Sequence, residues 1–499
     1  MVALDGFYGL MGLDFSGFAF YKYPGLLFLV LGLALYPAYL VYNLKTLVHL
    51  QTLADLKYFL GHPSVPESSA IFVGRVESLA FGLAAVWVFF MIFRKRLGER
   101  AGLVGALFLV SSPGWLFSCS LVKNDSLLLL ALMVVVYACY GVLERGWRKD
   151  YMLAGLGLGL CLALKLHIFA LAPLLFAHWL RNGSAGRARK ILAKDLGLSL
   201  GLALLIFFIF SPLQFIHPAR AFEAMILEMA IQSRALPLFR AGRSWWHWPV
   251  IFQLLCVFPL AMGIFGYLST IFGASRAQKY LPGKSLVLFI SYPAIFFLGW
   301  ALVSRLGYPH LYLPLVPFFA ALAGMGIDWL LSGKWHLKVM AAALVLLSAL
   351  FNIICVRELN QAQTSIVVDS LEAAGSLGVS EKIPAFFPYR PLAGSNYHLN
   401  FEFLPQFLLT EKWLKKNHPA MVLVHQSYYL SYRNHPEMSS AARAGFDDLL
   451  EGRTGWRLEK EWKAELRWGG IYAYFFPDLK NFSAALYRSS SELKSSQRH

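Results

Sequence analysis

The 499-residue sequence predicts a polytopic α-helical membrane protein with a small C-terminal α/β soluble domain, and three observations predict it. Hydrophobic residues make up 58% of the chain and charged residues 15%, where an ordinary soluble domain is about a quarter charged. The apolar residues are gathered into runs long enough for the ~20 helical residues that cross a hydrocarbon core. Positive charge is uneven: residues 1–355 hold 28 Lys+Arg against 13 Asp+Glu, while residues 356–499 hold 17 against 15. With a mean hydropathy of +0.54, a soluble globular chain is excluded.

The formal net charge of +17 raises the question of nucleic acid, and its location answers it. Of the 28 cations before residue 356, 17 fall in five short connectors, 94–100, 145–149, 181–194, 276–284 and 334–338. Cations confined to loops between apolar runs follow the positive-inside rule, so nucleic acid is not an expected partner. The five cysteines, Cys119, Cys139, Cys161, Cys256 and Cys355, lie in or at the ends of apolar segments, which suggests neither a disulfide framework nor a CxxC metal site.

Three regions follow: 1–69 as outer loop and interfacial helices, 70–355 as the multi-span domain, and 356–499 as an extracytoplasmic α/β domain. Residues 25–44 suit an outer interfacial helix or hairpin, with Tyr21, Tyr23, Tyr36, Tyr39 and Tyr42 at headgroup level. The chain opens on outer-loop sequence without a basic leader and apolar core, so a further apolar helix is expected upstream of Met1. Apolar runs then fall near 70–93, 101–119, 127–143, 151–180, 196–216, 249–273, 285–303, 308–331 and 339–355. With the basic connectors on the cytoplasmic side, the run 151–180 begins and ends on one side and is expected to be a hairpin or two short helices. Gly155, Gly157, Gly159 and Pro173 permit the close packing and the break this needs. The same parity puts the residues before about 70, the Lys123-Asn124-Asp125-Ser126 turn, the 217–247 loop and the tail from about 356 on the outer face. In the tail, strands are expected at 420–425 and 470–475, helices near 368–374 and 441–450, a turn at 392–395, and disorder over 489–499.

The candidate chemistry lies on those outer segments. Asp5 and Asp125 are two carboxylates, and Lys22 and Lys123 two cations, facing one compartment. Glycosyl transfer needs a carboxylate to take the proton of an attacking hydroxyl and cations to hold a phosphate leaving group. Each has a plainer reading: Asp5 as a solvated loop residue, Asp125 as a helix cap, Lys22 as an interfacial anchor. Lys165 and His167 lie mid-hairpin, where charge usually has a partner or a pathway, unless Lys165 snorkels. The run Arg305-Leu306-Gly307-Tyr308-Pro309-His310 suits either phosphate binding or the anchoring of helix ends. The tryptophans of Trp245-Trp246-His247-Trp248 suit an aromatic belt, and the long loop that carries them suits a cover over a lipid-linked substrate.

At these residues the sequence resembles the bacterial glycosyltransferase 39 family, polyprenyl-phosphate-sugar-dependent enzymes of the GT-C fold related to protein O-mannosyltransferases and the lipid A aminoarabinose transferase. The resemblance runs through most of the chain. It is carried by Asp5 with Tyr8, Tyr23-Pro24-Gly25-Leu26-Leu27, Gly74-Arg75, Arg94-Lys95-Arg96-Leu97-Gly98, Ser112-Pro113, Lys123-Asn124-Asp125, Ala154-Gly155-Leu156-Gly157-Leu158-Gly159 with Lys165, Tyr312-Leu313-Pro314-Leu315-Val316-Pro317 and Pro477-Asp478-Leu479-Lys480-Asn481. Their order is more specific than any one of them. The resemblance implies that Asp5 stands in the first outer acidic motif, where Gly6 replaces the usual Glu, and that Asp125 stands in the second. It implies carrier-phosphate binding by Lys22, Arg305 and Tyr308, with Tyr23, Lys123, Lys165 and His310 completing the expected substrate set. The implied reaction is hexosyl or pentosyl transfer, with inversion, from a polyprenyl phosphate to a hydroxyl of a lipid, glycan or protein. The implied setting is the extracytoplasmic face of an inner (plasma) membrane. No cofactor is indicated, and a divalent metal is compatible with the carboxylates. A secondary transporter would show midplane ionisable groups in both pseudo-repeated halves, and Lys165 has no second-half counterpart. A catalytically inactive scaffold of the same fold is the other competing class.

Overall fold

The computed structural model describes residues 67–120, 124–182, 189–223, 225–226, 258–303, 309–376, 382–386, 401–404, 411–425, 449, 455–463 and 483–489. They form two compact units, one up to Ile353 and one from Ile354 onward.

The first unit is helical. Helix α1 (Glu67–Leu97) carries Glu67, Arg75 and Glu77 in its first half, is apolar from Leu79 to Phe93, and ends on Arg94, Lys95 and Arg96. Gly98, at φ 89°, then turns the chain into α2 (Glu99–Ser111). Ser112 ends α2 and caps α3 (Pro113–Cys119): its hydroxyl accepts from the Trp115 amide at 3.4 Å, and Pro113 occupies the first helical position where no amide donor is needed. The two helices meet at a 57° bend, so the run 101–119 is a broken span or a re-entrant loop. Trp115 Nε1 donates to the Gly82 carbonyl at 3.3 Å and ties α3 to α1. Next come α4 (Asp125–Glu144) and α5 (Arg148–Lys165), then a 3-10 turn at Ile168–Ala170 and α6 (Leu171–Asn182).

The run 151–180 is thus two short helices, and they run out and back. Tyr151 near the start of α5 hydrogen-bonds His178 near the end of α6 at 2.9 Å. The break falls at Leu166–His167 rather than at Pro173, which lies inside α6, where a proline in the first turn forfeits no hydrogen bond. Helix α7 (Arg189–Phe210) packs along α5. A Cβ at Gly155 would collide with the Ser199 carbonyl of α7, so only glycine allows this approach. The unit continues with α8 (Ile264–Ala274), α9 (Lys284–Val303), a 3-10 turn at Pro309–Leu315, α10 (Val316–Leu331) and the part of α11 (Trp335–Gly375) up to Ile353. Among the described residues five helices are long and apolar enough to cross a membrane, or six with the bent pair. Helix α5 is not among them, and Arg148, Lys149, Asp150 and Lys165 are its charged residues.

The basic connectors gather at one end of this unit. Glu144 at the end of α4 takes ion pairs from Arg96 and Lys95 of α1. Arg181 donates to the Glu144 carbonyl at 2.9 Å and to the Arg145 carbonyl at 3.2 Å, and Lys284 to the Leu180 carbonyl at 3.0 Å. Arg100 faces Asp328 at 3.8 Å, and the Tyr280 phenol donates to the same carboxylate at 2.7 Å. Burial and that carboxylate push the Tyr280 phenol well above its usual range.

The second unit holds a five-stranded mixed sheet in the order β2-β1-β3-β5-β4. Its strands are β1 (Ile383–Phe386), β2 (Phe401–Leu404), β3 (Met421–His425), β4 (Trp456–Lys463) and β5 (Ser483–Ser489). The first three are parallel, and β5 is antiparallel to β3 and β4, with Leu423 opposite Leu486. Phe386, Val422, Val424, Trp456 and Tyr487 form its core with Leu414 of α12 (Glu411–Asn417). The expected strand 420–425 is β3. The expected helix at 368–374 is instead the end of α11, because no Gly or Pro interrupts the chain before Gly375. Ser489 pairs with Trp456 and so belongs to β5, not to a disordered end. The expected strand 470–475, the turn 392–395 and all of 441–450 except Leu449 lie outside the described residues.

Candidate active site at the Asn124 turn

The site is built where α4 begins and α5 ends. Asn124 is the N-cap residue of α4, but its side chain makes no capping bond; its Nδ2 donates instead to the Leu164 carbonyl at 2.6 Å. That bond satisfies a terminal carbonyl of α5 and pins the two helix ends together. Asp125 is the first residue of α4, one position past the cap, and its Oδ1 receives the ammonium of Lys165, the last residue of α5. The plain capping reading is therefore replaced by an ion pair between residues far apart in sequence.

Both charges suit their positions. Asp125 stands at the positive end of the α4 dipole and Lys165 at the negative end of the α5 dipole. Asp125 is 2% exposed, a depth at which a lone carboxylate is costly, and the Lys165 ammonium and the helix dipole offset that cost. The Lys165 side chain keeps 26% of its surface exposed, so its ammonium can meet a ligand while touching the carboxylate. The pair lies at the opposite end of α4 from the basic cluster at Glu144.

The turn after Lys165 makes this possible. Leu166 adopts the left-handed conformation at φ 50°, ψ 40°; its amide donates to the Leu162 carbonyl at 2.9 Å, an αL end to the helix, and the His167 amide reaches back to the Cys161 carbonyl at 3.2 Å. A leucine there costs about 1–2 kcal/mol relative to the right-handed region. Compensation comes from His167, buried with its Nε2 2.6 Å from the Tyr292 hydroxyl of α9 and packed against Phe169 and Phe296. On the other side, Cys119 Sγ and Ser126 Oγ meet at 3.5 Å, tying α3 to the start of α4.

Of the expected site residues, Asp125 and Lys165 are brought together. Asp5, Lys22, Tyr23, Lys123, Arg305 and Tyr308 lie outside the described residues. His310 is described in its backbone alone, within the 3-10 turn Pro309–Leu315 that packs on α3 and α4. Two residues escaped the sequence reading. One is Tyr292, which looks like any tyrosine in an apolar run until His167 is placed beside it. The other is Glu77, the single acid of the span Phe72–Leu97, whose Oε1 is buried without a hydrogen-bond partner. Helices α1 and α4 run the same way, with Arg96 on Glu144, and Glu77 lies as far from Arg96 as Asp125 does from Glu144, so at ~1.5 Å per residue the two acids stand at one height. An acid inside an apolar run was the signal available for it. Among the described residues no group of three or more His, Cys, Asp or Glu side chains could hold a metal.

Residues 67–215 match the family model of the dolichyl-phosphate-mannose-protein mannosyltransferases. No curated protein matches the chain. Among solved structures, ArnT from Cupriavidus metallidurans bound to undecaprenyl phosphate has a TM-score of 0.48 at 11% identity, over 94% of this chain and 88% of ArnT. The Archaeoglobus fulgidus oligosaccharyltransferase tethered with an acceptor peptide has a TM-score of 0.41 at 10% identity, over 88% of this chain and 66% of its own. AglB from the same organism, in complex with an inhibitory peptide and a dolichol-phosphate, has a TM-score of 0.40 at 11% identity. The family match spans α1 to α7 and contains Asp125, Lys165 and the hairpin; over it the chain is glycosyltransferase-like, in agreement with the glycosyltransferase 39 resemblance of its motifs.

Proposed function

We propose that this membrane glycosyltransferase-like chain, matched over residues 67–215 to the dolichyl-phosphate-mannose-protein mannosyltransferase family model, transfers a monosaccharide from a polyprenyl phosphate to a hydroxyl acceptor with inversion. The observation that carries the reading is the Asp125–Lys165 pair, a buried carboxylate with a partly exposed cation at the end of the helical unit away from the basic connectors. By the positive-inside rule that end faces the extracytoplasmic side.

In the proposed reaction the acceptor oxygen attacks the anomeric carbon from the face opposite the phosphate. The bond between that carbon and the phosphate oxygen breaks, and the hydroxyl proton passes to a carboxylate, Asp5 or Asp125. Lys165 orients Asp125 through their ion pair and, with Lys22, Tyr23, Lys123, Arg305, Tyr308 and His310, holds the phosphate as its charge grows. The polyprenyl phosphate leaves as the second product and stays in the membrane.

The test is transfer of a radiolabelled sugar from polyprenyl-phosphate donors to membrane acceptors by the purified full chain. Asp125→Asn is expected to cut turnover by roughly a hundredfold or more with the fold retained. Full turnover in Asp125→Asn would remove Asp125 from the mechanism, and solute flux without turnover would replace the enzyme by a transporter.

A further inference from the structure

We propose that the cavity at the basic end of the helical unit binds the phosphate headgroup of an anionic membrane phospholipid. The cavity measures about 450 Å³ and lies between the end of α1 and the end of α4. Arg94, Lys95, Arg96 and Arg145 wall it, with Met91 and Ile92 on its apolar side. The acids on the wall are Glu99 and Glu144, so cations are in excess.

Most of that charge is engaged, which isolates the part left over. Glu144 is shared by Arg96 and Lys95, and Arg145 grips both oxygens of Asp150. Arg94 lies 5.5 Å from the Phe90 ring and pairs with no carboxylate among the described residues. A guanidinium beside a shared lysine is a phosphate-binding arrangement.

Two further observations place a lipid rather than free phosphate there. The end carries the tryptophans and cations that suit headgroup level: Arg145 and Lys149 lie 5.0 and 4.3 Å from the Trp147 ring, and Trp147, Trp179 and Trp335 are exposed. From the cavity an outward stripe descends α1 at one-turn spacing through Met91, Trp87 and Leu83, the last two well exposed, and an acyl chain fits along it. Basic pockets between helix ends on the cytoplasmic side suit anionic headgroups.

Native mass spectrometry of the detergent-purified full chain tests this, with dioleoyl phosphatidylglycerol, dioleoyl phosphatidylcholine and inorganic phosphate as probes. One tightly held phosphatidylglycerol is expected, preferred about tenfold over phosphatidylcholine, with the preference lost in R94Q/K95Q and kept in R94K. Should R94Q/K95Q fail to fold, the wild-type preference and R94K still decide. Equal retention of the two lipids by wild type, an undiminished preference in R94Q/K95Q, its loss in R94K, or displacement of phosphatidylglycerol by millimolar phosphate would each overturn the assignment. The readout is lipid retention, so it stands or falls independently of sugar transfer.

Discussion

Asp125 and Lys165 hold each other in place, and each is more costly alone than paired. Replacing Lys165 by Met leaves a carboxylate buried without its cation, and is expected to destabilise the protein by about 3–5 kcal/mol, as removing one partner of a buried pair does. Adding Asp125→Asn to Lys165→Met removes the stranded charge and is expected to restore part of that stability but no sugar transfer. Thermal unfolding and turnover of the two single variants and the double variant measure the coupling; strictly additive stability losses would deny that the pair is coupled. At this scale the residues themselves were legible in sequence, since an acid and a lysine beside apolar runs stand out. Their partnership was not, because nothing local in either segment specifies the other.

The hairpin of α5 and α6 is the element that aims Lys165. Its reversal rests on a left-handed leucine and on the His167–Tyr292 hydrogen bond, so Tyr292→Phe is expected to cost about 1–3 kcal/mol by leaving a buried imidazole nitrogen unpaired. The turnover of Tyr292→Phe should fall further than that of Tyr267→Phe, a tyrosine of α8, a helix without a residue in the site. Unchanged stability and turnover would deny the latch. Gly155→Val would push α5 off α7 and is expected to destabilise by about 1–3 kcal/mol, seen as earlier thermal unfolding, whereas Gly197→Ala on α7 meets nothing and should be tolerated. The hairpin was legible from basic residues at both of its ends. The position of its break was not, because Leu166 carries no glycine or proline signal and the contact from α9 falls on its neighbour His167.

For the whole molecule, the prediction concerns sidedness. The basic connectors meet at one end of the helical unit and the Asp125–Lys165 pair lies at the other end of α4. An alkaline phosphatase fused after His499 is therefore expected to be active and a fused green fluorescent protein dark; the reverse pattern would place the C-terminal unit in the cytoplasm and remove the proposed reaction from the outer face.

By itself the sequence determined that the chain is membrane-embedded, where its apolar elements lie and which end of them is basic. These follow from composition and charge position, because the free energy of placing a side chain in hydrocarbon depends on its own chemistry. Only the tertiary structure decided that Asn124 grips the Leu164 carbonyl, that Asp125 meets Lys165, and that Glu77 buries Oε1 without a hydrogen-bond partner. It also decided the β2-β1-β3-β5-β4 order, in which β5 at the end of the described chain inserts between β3 and β4. Such pairings depend on how distant segments pack, and close packing is a property of several elements at once rather than of any one stretch of chain.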